Sequence, residues 1–358
     1  MRLLCLLILT SALIVGCEDK DDEAPITIDT WLRIYPGSGG EVGSICATRD
    51  GGCAAAEQQF PNSNIYVFDS DGDLLQEISP SKYTTEKIYS LVVAQDGSIY
   101  ATGSATLPLR WYVMKLTPQE ITPSETTISL PDTFGAGFCI IESHDDNLLL
   151  GGTDNGDICI VKMNKGLDSL LWRTTLDELN GNTYAIEELP DGRIIAAGGR
   201  GGFMHVLSLT ASGEVQTERQ VNLPGYFKDM AISNNKIFAV APSGSVGTLA
   251  VFDFDLNLDT LISVSDTGHV YLSGVALGSN GMPTLVATRY LQTGSDGDIW
   301  IRQYSQDGEI RWTKTFFLST NERGYAIAAA PDGGYFVLGG TPLELDMYLI
   351  KVNDRGEM

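Results

Sequence analysis

A two-residue turn signal recurs seven times along this chain, and its spacing limits the possible folds more than any other feature. Asp50-Gly51, Asp96-Gly97, Asp145-Asp146, Asp191-Gly192, Asn234-Asn235, Asn280-Gly281 and Asp332-Gly333 follow one another at intervals of 43 to 52 residues. Such pairs supply the positive φ angles that tight hairpins require. Each is followed by a near-continuous apolar run: Ile65–Phe68, Trp111–Leu116, Asp157–Met163, Met204–Leu209, Leu249–Phe254, Asp298–Tyr304 and Asp346–Val352. Runs of this kind suit strands buried on both faces.

Four antiparallel strands per unit, in seven units that fill residues 37 to 358, predict an all-β chain folded as a seven-bladed β-propeller. The last unit stops at Met358 without a fourth strand. The segment Thr30–Tyr35 (TWLRIY) matches the fourth strands Leu171–Thr175 (LWRTT) and Arg311–Thr315 (RWTKT), so the N-terminal strand is expected to close the last blade. Closure removes the exposed edge that an open array would leave. The units lack the Gly-His and Trp-Asp signature of WD repeats. They resemble the DG-turn, W-x-K-T propeller repeats of exported bacterial proteins in the broad quinoprotein-like group. That resemblance implies a fold and attaches no activity to it.

The first residues point to export. Met1 and Arg2 precede a mostly apolar run from Leu3 to Gly16, which suits a signal-peptide core and is too short to span a bilayer. The run ends in Ile14-Val15-Gly16-Cys17, which resembles the lipobox of bacterial lipoproteins. The resemblance implies lipidation of Cys17 and cleavage just before it; an ordinary signal peptide ending in Gly-Cys is the alternative. The expected organisation is a signal peptide over 1–16, a lipidated acidic tether over 17–28 and the propeller over 29–358. The run Glu18-Asp19-Lys20-Asp21-Asp22-Glu23 cannot bury itself and reads as a solvated tether. It also resembles the signal that carries Bacteroidota lipoproteins across the outer membrane, which implies a lipid-anchored protein facing the cell exterior.

Composition excludes one partner class. A net charge of −23 would repel a phosphate backbone, so no nucleic-acid partner is expected. Of six cysteines, Cys46 and Cys53 flank a hairpin turn and are candidates to pair in an oxidising compartment. Cys139 and Cys159 fall on strands two apart, too far for a disulfide. Without CxxC spacing, the four mature thiols do not suggest zinc.

Few residues carry the marks of chemistry. His144, His205 and His269 are scattered, with His205 in a slot that other units fill with Tyr66, Tyr112, Trp300 and Tyr348. The sequence contains no GxSxG elbow, P-loop, GxGxxG or HExxH. Asp69–Asp73 and Asp253–Asp259 alternate oxygens as calcium loops do, but lack the required glycine and glutamate and fall on turns between third and fourth strands. Glu142, Glu187 and Glu188 stand out on first strands, where other blades carry Val, Ile and Ala. Carboxylates facing a central channel need water, a basic partner or a cation, and a channel cation is therefore a hypothesis.

Propellers present ligands on the face built from second-to-third-strand loops and blade connections. Here those segments carry Phe60, Tyr83, Arg110, Trp111, Arg289 and Tyr290. Aromatic and arginine side chains suit protein interfaces, and aromatics stack on sugar rings; the alternative is that several only cover blade tops. The sequence thus favours a non-enzymatic binding or scaffold module for a protein or glycan, an accessory subunit of an outer-membrane complex being one form of it, with no cofactor. A carbohydrate-active or quinone-dependent propeller enzyme is the competing reading.

Overall fold

The computed structural model describes residues 28–36, 41–58, 63–80, 86–106, 110–117, 122–128, 135–176, 180–243, 245–291, 296–319, 321–341 and 345–358. Cys17, the signal segment, the tether up to residue 27, Phe60 and Tyr83 lie outside them.

The described residues form seven four-stranded antiparallel sheets, each with its strands in spatial order. The first strands are Glu41–Ala47, Glu86–Val93, Gly135–Glu142, Gly181–Glu188, Asp229–Ser233, His269–Leu277 and Arg323–Ala329, defining blades one to seven. Each first strand packs against those of its two neighbours, and the strand of blade seven meets that of blade one, so the ring is closed. Blade seven takes its fourth strand from the N-terminal side: Trp31–Tyr35 pairs antiparallel with Asp346–Val352, with Trp31 opposite Lys351 and Tyr35 opposite Met347. The seven-bladed propeller and its closing strand are therefore as the repeat implies.

Side chains alternate between the two faces of each strand, and both faces of every blade meet another blade. The buried apolar residues accordingly form seven separate clusters, one in each gap between successive blades. Third strands are buried over most of their length, and Gly297–Tyr304 over all of it, which explains their lack of apolar alternation.

The seven turn pairs fall between first and second strands, with φ positive at Gly51, Gly97, Asp146, Gly192, Asn234, Asn235, Gly281 and Gly333. In blades three and seven the turn aspartate also receives a buried third-strand lysine: Lys162 to Asp145 and Lys351 to Asp332, both at 2.7 Å.

The fourth-strand tryptophans tie blade to blade. Trp31 donates its Nε1–H to Ser70 O at 2.9 Å, and its ring lies against Gly72, where φ is +81° and a Cβ would sit 2.7 Å from the ring. Trp172 donates to Ala211 O at 3.1 Å and covers Gly213 (φ +86°) in the same way. Trp312 covers Gly356. Trp31 and Trp172 thus sit on the third-to-fourth-strand turn of the next blade, and Trp312 on the turn that follows the third strand of blade seven; Trp31 makes its contact across the ring closure.

One sequence expectation is corrected here. Cys46 and Cys53 are free thiols. Cys46 pairs in register with Ala54, and Ala47 with Cys53, so the two side chains project from opposite faces of the blade and enter different inter-blade clusters. No rotamer change bridges a sheet in this way.

Candidate functional site

The innermost strands share an irregularity that builds the site. Pairing with the second strand shifts register at Gly43, Tyr89, Phe138, Tyr184, Ser273 and Tyr325, giving a one-residue bulge in six of the seven blades. In blade five, Lys228 holds the matching place just before Asp229, with its N–H bonded to Val240 O at 2.7 Å. A bulge re-aims the extra side chain away from the sheet. Here the seven residues point into the central channel, where they line a cavity of about 600 Å3, a size typical of small-ligand sites.

The wall is unequal around the ring. Tyr89, Phe138 and Tyr184 form a continuous arc, with centroids 5.2 and 5.0 Å apart, and Tyr226 extends it at 4.7 Å from Tyr184. Gly43 and Ser273, on the blades either side of Tyr325, leave space in the rest of the ring. Such spacings are those of mutually stabilising rings.

The bulge also frees a backbone N–H, and the preceding blade supplies its acceptor. Ser44 Oγ accepts from Leu91 N–H at 3.1 Å, and Asp229 Oδ2 accepts from Val275 N–H at 2.9 Å at the equivalent place. Asp229 Oδ1 accepts from Met230 N–H at 2.8 Å. Burial nevertheless pushes Asp229 up to about 6, against the opposing pull of those two donors and of Lys228.

The three glutamates expected in the channel divide. Glu142 turns to blade two, accepting from Gln95 N–H at 2.6 Å and pairing with Lys165. Glu188 turns to blade three, accepting from His144 N–H at 2.6 Å. Glu187 alone lines the cavity, beside Asp229. Confinement by protein raises its carboxyl to about 8, and the neighbouring Asp229 charge adds to the effect. Glu142 and Glu188 are corrected from channel ligands to staples between blades.

The upper-loop candidates do not converge. Trp111 is fully buried and donates its Nε1–H to Thr102 Oγ1 at 2.8 Å, so it is a core residue and not a ligand contact. Arg289 is held at 2.9 Å from Asp298, and its guanidinium lies 5.6 Å from the Phe317 ring. Tyr290 is half-buried beside Gly297, and Arg110 is exposed. Blades two and six, which carry these pairs, are not neighbours.

Other candidates serve the scaffold. Asp69 Oδ1 accepts from the N–H groups of Asp71 and Asp73, and Asp253 Oδ1 from those of Asp255 and Asn257; these are hairpin contacts. His205 is buried on a third strand, His144 is exposed in its turn, and neither they nor His269 lines the central cavity. Among the described residues, no helix is long and apolar enough to cross a membrane.

Glu187 faces the channel as its place on a first strand implies, whereas the aromatic arc is no part of the loop-borne set that the sequence singles out. The signal was present: an aromatic residue recurs mid-strand in IYSL, GFCI, TYAI and GYAI, in repeats two, three, four and seven.

No protein-family model matches the chain, and no curated protein matches it. Among solved structures, a streptogramin B lyase is similar with a TM-score of 0.69 and 15% identity, covering 90% of this chain and 98% of that one. The virginiamycin B lyase of Staphylococcus aureus aligns with a TM-score of 0.69 at 12% identity, covering 90% of this chain and 100% of its own. The Pan2 WD40 domain of Neurospora crassa gives 0.63 at 11% identity, over 89% of this chain and 92% of that domain. These likenesses, to lyases and to a WD40 domain alike, establish a seven-bladed propeller with neighbours of both kinds.

Proposed function

We propose that this chain is a non-enzymatic binding propeller, anchored through Cys17 to a bacterial outer membrane and facing outward, which receives part of a protein or glycan partner in its central channel. The observation that carries the reading is the cavity itself. Bulges aim aromatic side chains into it from blades two, three, four and seven, while Gly43 and Ser273, on the two blades flanking blade seven, leave room beside Tyr325. A packed channel would need none of this asymmetry. Lipid anchoring rests on the Ile14–Cys17 motif, and outward exposure on the acidic tether after it.

Two measurements test this. Labelling with palmitate should mark the wild-type chain and not Cys17→Ala, and surface proteolysis of intact cells should degrade it. Cross-linking of intact cells should recover the chain with a partner; recovery of monomer alone contradicts the scaffold reading.

The second reading, a carbohydrate-active propeller enzyme, is favoured by one observation. A carboxyl with its pKa near 8 beside a second carboxylate at about 6 has the form of an acid–base pair. Turnover on a glycan panel that Glu187→Gln abolishes would establish it in place of the first.

A further inference from the structure

The cavity holds a carboxyl group that the fold does not use. Asp229 is fixed by two backbone N–H groups, and Glu142 and Glu188 are turned to the preceding blades. Glu187 has no hydrogen-bond or ion-pair partner among the described residues and lines the cavity. We propose that the channel receives an ammonium group carried by the ligand, with Glu187 as counter-ion and the Tyr89–Phe138–Tyr184 arc as the π wall beside it.

This rests on the channel being the binding site and names the chemistry it recognises. Two carboxylates confined together repel each other, and a positive charge placed between them relieves both the repulsion and the desolvation. A neutral ligand gives no reason for the pairing. Aromatic faces attract organic cations and add little to metal coordination. Calcium requires about six to eight oxygen ligands, whereas no group of three or more His, Cys, Asp or Glu side chains gathers for a metal among the described residues. The strongly acidic chain favours cation approach at long range.

The groups facing Glu187 are Asp229 and Lys228 from blade five, Cys139 from blade three, Tyr184 on its own strand, and Tyr89 and Tyr325 across the cavity. Burial pushes the Cys139 thiol upward, and Tyr184 likewise, so both stay neutral near pH 8. Glu187 is therefore the group that changes charge there. Below about 8 it keeps its proton, and an ammonium ligand must displace it. Affinity for a cation should thus rise with pH up to that value and then level.

Calorimetric titration of the full chain with n-butylammonium tests this, with n-butanol as the neutral analogue and Nα-acetyl-lysine amide as the peptide-borne amine. Affinity for n-butylammonium should rise on the order of twentyfold between pH 6.5 and 8.5, with n-butanol binding at least about tenfold more weakly. Glu187→Gln should remove the pH dependence and most of the affinity, and Phe138→Leu should weaken binding, with melting curves verifying that both fold. A stronger response to Nα-acetyl-lysine amide than to n-butylammonium supports a protein-borne amine, and the reverse supports a small-molecule one. Equal binding of butanol, affinity that falls with pH, an unaffected Glu187→Gln or Glu187-dependent calcium binding overturns the inference. A neutral glycan that Ser273→Trp excludes, with no response to either amine, also overturns it while leaving the channel reading intact.

Discussion

Glu187 is the residue at which folding and function pull apart. Its carboxyl is raised to about 8 in the folded chain, so between its unfolded value and pH 8 the native state holds a proton that the unfolded state has lost. Stability from this group is therefore present at low pH and declines as pH rises through that window. Glu187→Gln should melt at a higher temperature than wild type at pH 9 and show a smaller drop between pH 6 and 9, as differential scanning calorimetry can verify. The thiols make a second residue-scale prediction. Burial raises Cys46 to about 12 and moves Cys139 and Cys53 in the same direction. All four described cysteines should resist alkylation in the native chain and react together on unfolding, and no Cys46–Cys53 disulfide should appear by mass spectrometry.

At the scale of the element, the unit of construction is a tryptophan on one blade seated over a glycine on the next. Gly213 has φ +86° and no room for a Cβ against Trp172, so Gly213→Ala should cost at least about 1–2 kcal/mol from backbone strain alone, before the clash with the ring. Trp31→Ala should cost about 2–3 kcal/mol, below the range for fully buried tryptophan because Trp31 is half-buried. It should also speed unfolding more than Trp172→Ala, since Trp31 lies on the strand that closes the ring; stopped-flow unfolding in denaturant compares the two. Much of this was legible. Asp-Gly and Asn-Gly pairs announce hairpins because few other residues accept positive φ, and the TWLRIY match predicted closure because a missing fourth strand leaves an unpaired edge. The bulges were not legible. Nothing in IYSL or TYAI distinguishes a bulged aromatic residue from a regularly paired one, since register depends on the partner strand. Trp111 misled for the same reason: sequence placed it at a loop's edge, and pairing with Ser104 drew it into the core.

The whole molecule is seven apolar slabs arranged about a channel, with no single central core. Each slab depends on two adjacent blades, so stability is built from neighbour to neighbour, and ring closure couples the last interface to the first. That geometry leaves the axis free, and the sequence spends it unevenly: aromatic residues from blades two to four and seven, carboxyls from four and five, small residues from one and six. A channel serving only as a by-product of closure would have no need of that division.

Plugging the channel tests this account most directly. Ser273 occupies the bulge that carries Tyr89, Phe138, Tyr184 and Tyr325 in other blades, so Ser273→Trp can fill the cavity without disturbing a strand. A melting-shift panel of glycans and n-butylammonium should give ligands that stabilise the wild-type full chain. The account predicts that Ser273→Trp folds and melts normally yet loses every such shift. Shifts of undiminished size in the plugged variant would contradict it.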